Sequence, residues 1–140
     1  MVFERLDELA QPQRDNRVRN LLLLQGDGGT GKTYTLNVLI EVCHARGIPI
    51  RATASTGIAA TRLLGGCTAH SLFGIPVEED VEVTTETRFS TVTADSFKGR
   101  LLQRTRIFII DEVGMLHNDD IFAINHLLKF LHDTTVSVAC

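Results

Sequence analysis

Apolar and polar residues along this chain fall into blocks, and each block has a period that predicts an element. "RNLLLLQ" (19–25) is a short unbroken apolar run, the pattern of a strand buried on both faces. "YTLNVLIEVCHAR" (34–46) instead places Leu36, Leu39, Ile40 and Cys43 on one helical face, and Gly47 and Pro49 stop it. "IRATAS" (50–55) predicts a second strand, and "TGIAATRLLGG" (56–66) a short helix ended by Gly65 and Gly66. "CTAHSLFGIP" (67–76) has no period and is expected to be irregular. Residues 77–94, acidic and threonine-rich, have the composition of an insertion or exposed loop. "ADSFKGRLLQ" (94–103) predicts a helix, and "TRIFIIDE" (105–112) a third buried strand with two carboxylates at its end. "NDDIFAINHLLKFLH" (118–132) is amphipathic, with Asn118 as its cap and Ile121, Ile124, Leu128 and Leu131 facing inward. "TTVSVAC" (134–140) is a fourth β-rich run.

Strands alternating with helices imply an α/β domain with a parallel sheet covered on both faces. Ligands then bind at the carboxyl ends of the strands. Residues 1–18, the short helix "FERLDELA" and a polar linker, precede a domain spanning 19–140. A chain of 140 residues has room for one real core, not two.

Composition excludes several classes. No apolar run approaches the roughly 20 residues needed to span a bilayer. "MVFERLDELAQ" alternates acids with hydrophobes, unlike a signal or transit peptide. An intracellular protein without a membrane partner is therefore expected. The three cysteines, Cys43, Cys67 and Cys140, are widely spaced without a CxxC pair, which suits a reducing compartment and argues against a disulfide framework or zinc site. The net charge of −3 is not that of a protein holding nucleic acid by charge alone. "VEEDVEVTTE" (77–86) carries five acids and no base, whereas "FKGRLLQRTR" (97–106) carries four bases and no acid. A solvated loop and a solvated helix face account for both.

The leucine run leads into "GDGGTGKT", which fits G-x-x-x-x-G-K-[ST] through Gly26, Gly31, Lys32 and Thr33. Average usage would produce this pattern in about one chain in 200 of this length. Strand, glycine loop and helix is the context in which it works as a phosphate cradle. Phosphate oxygens accept several hydrogen bonds at once, and successive backbone N–H groups can crowd around them only where side chains are absent. Gly26, Asp27, Gly28, Gly29, Thr30 and Gly31 form that cradle, and the helix start adds partial positive charge. Lys32 can reach the β- and γ-phosphates of ATP, and the Thr33 hydroxyl can ligate Mg²⁺. About 80 residues on, "IFIIDE" supplies the second half: Asp111 as Mg²⁺ carrier and Glu112 as general base toward the attacking water. Lys32, Thr33, Asp111 and Glu112 are expected to converge at one end of the sheet.

"ATASTGIAATRLLGGCTAHS" (52–71) offers Thr56, Thr68, His70 and Ser71 as neutral donors beside small residues where a ligand backbone could lie close. Local chemistry alone also allows a strand followed by a helix cap at Ser55 or Thr56, with His70 an ordinary loop histidine.

"GDGGTGKTY", "ASTGIAATRLLGGCTAHSLFGIP" and "IIDEVGM", in this order and spacing, resemble the ATP-dependent DNA helicases of the petite-integration-frequency type. These are superfamily-one motors related to RecD and to helitron transposon helicases, and the resemblance covers roughly residues 20–132. It implies a P-loop NTPase of RecA-like fold, incomplete at the C-terminus, forming the first part of a motor domain. It implies ATP and Mg²⁺ as cofactors, single-stranded DNA or a duplex junction as partner, and 5′ to 3′ unwinding with a second RecA-like domain supplied in cis. It also makes Thr56, Gly57, Thr68 and His70 contacts to the DNA strand. The alternative from another class is a non-hydrolysing nucleotide- or DNA-binding remnant of a helicase or helitron element. A small P-loop kinase fits less well, because "TGIAA…TAHS" has no role in one.

Departures from the family pattern carry further expectations. No clean Leu-Asn-x-x-Gln pattern, the family's adenine-reading segment, precedes the loop, Gln11 and Gln13 standing in other surroundings. Gly114 replaces a common serine. By resemblance, "TTVSVAC" should lie between "LLLLQ" and "IFIIDE", leaving the leucine run as a bare sheet edge, which is an aggregation hazard.

Overall fold

The computed structural model describes residues 22–76 and 89–132. Three strands form a parallel sheet in the order β2-β1-β3, with β1 at Ile50–Ala54, β2 at Cys67–Thr68 and β3 at Ile107–Asp111. Five α-helices accompany them among the described residues: α1 (Lys32–Ala45), α2 (Gly57–Thr61), α3 (Ala69–Phe73), α4 (Phe97–Arg104) and α5 (Asn118–His132). None of these helices is long and apolar enough to cross a membrane.

Register places the sheet's two functional ends side by side. β1 pairs with β3 from Ile50↔Ile107 to Ala54↔Asp111, and with β2 at Thr53↔Cys67 and Ala54↔Thr68. Asp111, Ala54 and Thr68 therefore form one row at the carboxyl end of the sheet. The buried Thr53 hydroxyl donates to the Ile109 carbonyl at 2.9 Å, so this polar side chain costs the core nothing in lost hydrogen bonding.

Both faces are covered, as the alternation of strands and helices requires. One core joins Leu39, Ile40 and Cys43 of α1 to Ile50, Ala52, Ala54 and Ile109 of the sheet and to Ala59, Ala60 and Leu63. The other joins Ala69, Leu72 and Phe73 of α3, Leu102 of α4 and the inner face of α5, with Phe108 and Ile110 from β3. The pleat explains the division, because Ile109 faces one core while its neighbours Phe108 and Ile110 face the other. Phe73 is fully buried, with its ring centroid 5.8 Å from that of Phe108. Burying one such side chain is worth about 1.5–3 kcal/mol.

Several elements differ from the sequence-based expectation. Residues 22–25 form no strand, and Leu22, Leu23 and Leu24 are 44%, 71% and 41% exposed. A strand exists only through a ladder partner, and among the described residues no strand pairs with this run. "TTVSVAC", placed by resemblance beside it, lies outside the described residues, as do the N-terminal helix and residues 77–88. "CTAHSLFGIP" is not irregular: Cys67–Thr68 pairs with β1, and the Thr68 hydroxyl accepts from Ser71 N–H at 3.2 Å to start α3. Ala69, Leu72 and Phe73 are its buried i, i+3 and i+4 positions, and left-handed Gly74 ends it. The helix expected over 56–66 is one short turn, ending at Thr61. The cap of α5 falls at His117 rather than Asn118: the His117 carbonyl accepts from the amides of Asp120 and Ile121. The Asp120 carboxylate reaches back to the His117 N–H at 3.2 Å, a reciprocal capping arrangement.

Gly99 marks a close approach. A Cβ there would overlap the Thr93 carbonyl oxygen and lie 2.8 Å from that of Ala94, the turn that leads into α4. Gly99→Ala is expected to destabilise the chain by about 1–3 kcal/mol, since backbone cannot yield as a side chain does. A lower urea midpoint at unchanged slope would show it.

His132 gives the fold a pH dependence. Burial pushes its pKa below the usual histidine value, and a hydrogen bond to the Leu102 backbone opposes this only in part. The folded chain thus favours the neutral ring. Its contribution is present above about pH 6.5 and is lost as pH falls through that value toward the depressed folded pKa. The melting temperature of wild type is therefore expected to fall between pH 7.5 and pH 5.5 by more than that of His132→Gln.

Candidate nucleotide and nucleic-acid site

The glycine loop turns into α1 through Gly31, whose φ of 85° and ψ of 19° place it in the left-handed region, as does the φ of 77° at Gly29. Other residues pay heavily for that conformation, and here a Cβ on Gly28, Gly29 or Gly31 would meet nothing within 4 Å. At these three glycines the space a side chain would take is open, whereas a Cβ on Gly26 would lie 2.8 Å from the Thr30 hydroxyl. The first-turn amides of α1 have no intrahelical acceptor, and no side chain caps them. An anion fits this terminus on both counts.

Lys32 is folded over the loop, its ammonium donating to the carbonyls of Gly26 at 2.5 Å and Asp27 at 2.7 Å. The Thr30 hydroxyl donates to the same Asp27 carbonyl at 2.8 Å. The loop thus holds its own cation at its mouth by bonds to neutral carbonyls, which a phosphate would outcompete as an acceptor. Thr33 is half-buried in the first turn of α1.

Only residues 46–49 connect α1 to β1, and both elements feed one core, so the helix runs back along the strand. Its N-terminus consequently stands at the carboxyl end of the sheet, where Asp111 ends β3. Asp111 is half-buried and its Oδ1 accepts from the Glu112 N–H at 2.9 Å. Its carbonyl accepts from Ser55 N–H at 3.3 Å. Glu112 is exposed and is the only non-glycine residue with positive φ among those described, at 53°. Residues Val113–Met115 follow as a single 3₁₀ turn. A divalent cation bound to nucleotide phosphates typically takes only one or two protein oxygens, which the Thr33 hydroxyl and the Asp111 carboxylate would supply.

The segment after β1 shows what its hydroxyl residues do locally. Thr56 caps α2 by accepting from Ala59 N–H at 3.2 Å, and Thr68 caps α3 in the same way. Capping uses a hydroxyl lone pair and leaves the O–H free to donate. Gly57 is exposed at the start of α2. His70 has a different setting: its Nε2 lies 3.5 Å from Oδ2 of Asp120, which is fully buried, and only 22% of the His70 side chain is exposed. Lys98, from the basic stretch, donates to the Ser71 carbonyl at 2.7 Å and so is tied to the same segment.

Two contributors escape a reading of motifs. Asp120 does have a signal, a carboxylate on the inward stripe of an amphipathic helix four residues before Ile124. Asn37 has none; its side-chain amide reaches across to the residues following α2. Cys43 and Cys67 are free thiols. Burial pushes the thiols of Cys43 and Cys67 above the usual range, only partly opposed by Arg46 at the first and by Lys98 and Arg51 at the second.

Glycine loop, lysine, strand-end carboxylates and parallel sheet together define a P-loop, RecA-like module. The PIF1-like helicase family model matches residues 6–136, and the chain belongs to that family. It is 40% identical over 110 residues to the ATP-dependent DNA helicase Pif1 of Psychrobacter sp. (strain PRwf-1), covering 79% of this chain and 16% of that protein. With the ATP-dependent DNA helicase PIF4 of Trypanosoma brucei brucei it shares 33% identity, over 69% of this chain and 12% of the relative. Bacteroides Pif1 in complex with ADP-AlF3 and single-stranded DNA superposes with a TM-score of 0.68 at 32% identity, covering 95% of this chain and 28% of that one. A second Bacteroides Pif1 structure, bound to single-stranded DNA, gives 0.62 at 36% identity, over 78% of this chain and 24% of that one. The chain thus spans about an eighth to a sixth of the two curated relatives' length.

The left-handed Glu112 predicts stored strain. A non-glycine residue there costs about 1–2 kcal/mol, against about 0.5–1 kcal/mol of extra chain entropy for glycine. Glu112→Gly is therefore expected to be as stable as wild type or up to about 1 kcal/mol more stable. Denaturant melts check this, and a clearly destabilised variant would contradict it.

Proposed function

We propose that this chain is the nucleotide-binding part of a PIF1-type DNA helicase motor, residues 19–140 forming one partial RecA-like domain. The observation that carries the proposal is the uncapped, glycine-lined start of α1, with Lys32 poised over it at the sheet end where Asp111 and Glu112 sit. ATP as fuel and single-stranded DNA as track are supported by the relatives, which are ATP-dependent DNA helicases and, in Bacteroides Pif1, are bound to single-stranded DNA.

On this reading the loop amides and Lys32 bind the triphosphate, Lys32 exchanging the Gly26 and Asp27 carbonyls for β- and γ-phosphate oxygens. Thr33 and Asp111 would hold Mg²⁺, which when bound offsets the negative charge of the phosphates. Glu112, its backbone fixed by the Asp111 carboxylate, accepts the proton of the attacking water. Thr56, Gly57 and Thr68 present O–H and backbone groups to the DNA strand. His70, held against Asp120, orients that segment and meets DNA only with its exposed edge. In full-length relatives a second domain would close over the nucleotide, and unwinding needs both. The alternative reading is a non-hydrolysing nucleotide- or DNA-binding remnant of a helicase or helitron element. DNA-stimulated ATP hydrolysis separates the two, being expected of a motor and absent from a remnant.

Titration with fluorescent ATP and strand separation on a 5′-tailed duplex test the proposal. Wild type is expected to bind Mg-ATP weakly and not to unwind. Lys32→Ala should bind at least about tenfold more weakly, since hydrogen bonds to charged groups contribute about 1.5–3 kcal/mol. Unchanged binding in Lys32→Ala would refute the P-loop assignment, and ATP-dependent unwinding by monomeric wild type would refute the partial-motor reading.

A further inference from the structure

Asn37 lies one helical turn beyond Thr33 on α1, on the same side of the helix. Its amide makes two hydrogen bonds to backbone distant in sequence. Nδ2 donates to the Arg62 carbonyl at 2.8 Å, and Oδ1 accepts from the Leu64 N–H at 2.9 Å. The gripped residues stand between Thr56–Gly57 and Thr68–His70, within the stretch assigned above to DNA. Apolar contacts also join α1 to this region, through Leu39 and Ile40 against Ala59, Ala60 and Leu63. Such contacts are non-directional and tolerate sliding. A two-point amide grip on one carbonyl and one N–H is directional and does not.

We propose that Asn37 is a positioning residue that transmits nucleotide occupancy from the glycine loop to the 56–70 segment. Lys32 and Thr33 stand on the first turn of α1, and a helix moves as a rigid rod over one further turn. Any displacement of that turn on binding phosphate passes to Arg62 and Leu64 through the amide. The loop there continues through Gly65 and Gly66 into β2, so a shift at residues 62–64 reaches Thr68 at the sheet end. By linkage the effect is reciprocal, and DNA pulling on 56–70 changes the hold on nucleotide by the same factor. The inference rests on the nucleotide-binding reading and adds to it a route between the two sites.

Amide hydrogen exchange on the intact chain tests it, with and without a saturating non-hydrolysable Mg-ATP analogue, alongside a direct titration of that analogue. The variants are Asn37→Ala and Asn37→Asp; the latter keeps the acceptor toward Leu64 and removes the donor toward Arg62. In wild type the analogue should change exchange across residues 57–70 by about fivefold or more, the lower end of ordinary coupling factors. Both variants should still bind the analogue, with the nucleotide-dependent change in 57–70 lost. A purely structural role would raise exchange equally in both states and leave that change intact, which would overturn the proposal. Wild type that binds the analogue without any response in 57–70 would also overturn it, leaving the proposed function standing. Variants that fold but no longer bind would place Asn37 in the phosphate site itself and overturn the transmitting role. No binding by wild type would overturn the functional reading on which the inference rests.

Discussion

The parallel pairing of β1 with β3 is the constraint on which the rest of this structure depends. Its register sets Asp111 beside Ala54, and the pairing of β1 with β2 sets Thr68 on the other side of the same residue. Neighbouring strands lie about 4.8 Å apart, so one row carries Asp111 and Thr68 with their backbones about 10 Å from each other. Small side chains on β1 allow this closeness, Ala52 and Ala54 leaving space for α1 and α2 to pack directly over the strand. A slip by one residue would turn Asp111 into a different row and exchange the residues of the two cores.

Around that row, polar side chains do double service. Thr56 and Thr68 are helix caps whose hydroxyl protons stay available, and Lys32 both opens α1 and donates to the Gly26 and Asp27 carbonyls of the loop. Asp120 caps α5 and stands against His70, so the helix that follows the strand-end carboxylates is tied to α3, the segment after β2. Asn37 ties the residues just before β2 to α1. Each link is a directed bond between elements that packing alone would leave free to slide.

Local pattern was enough for much of this. The helices at α1 and α5 follow from apolar spacing, with Leu39, Ile40 and Cys43 and then Ile124, Leu128 and Leu131 buried as their periods require. The glycine loop, Lys32 and the strand ending in Asp111 are visible as motifs because each needs particular residue types in contiguous positions. The same holds for Thr68, whose cap and the Gly74 stop were legible in "TAHSLFG" to a closer reading of turn chemistry. Missing that helix was an error of period, since five residues are too few to show one.

What only the tertiary structure decided are the relations between separated segments. Nothing in "RNLLLLQ" reveals whether a partner strand lies beside it, and without one among the described residues Leu22, Leu23 and Leu24 remain exposed and outside any sheet. Apolar content creates a demand for burial, whereas a strand also needs a neighbour to complete its hydrogen bonds. Asn37 and His70 are likewise ordinary polar residues until folding brings Leu64 and Asp120 to them across 27 and 50 positions of chain. Sequence by itself determined the chemical groups and the local elements, because those depend on neighbours along the chain. The tertiary structure decided their partners, because hydrogen-bond geometry between distant segments exists only once the sheet has set their separation.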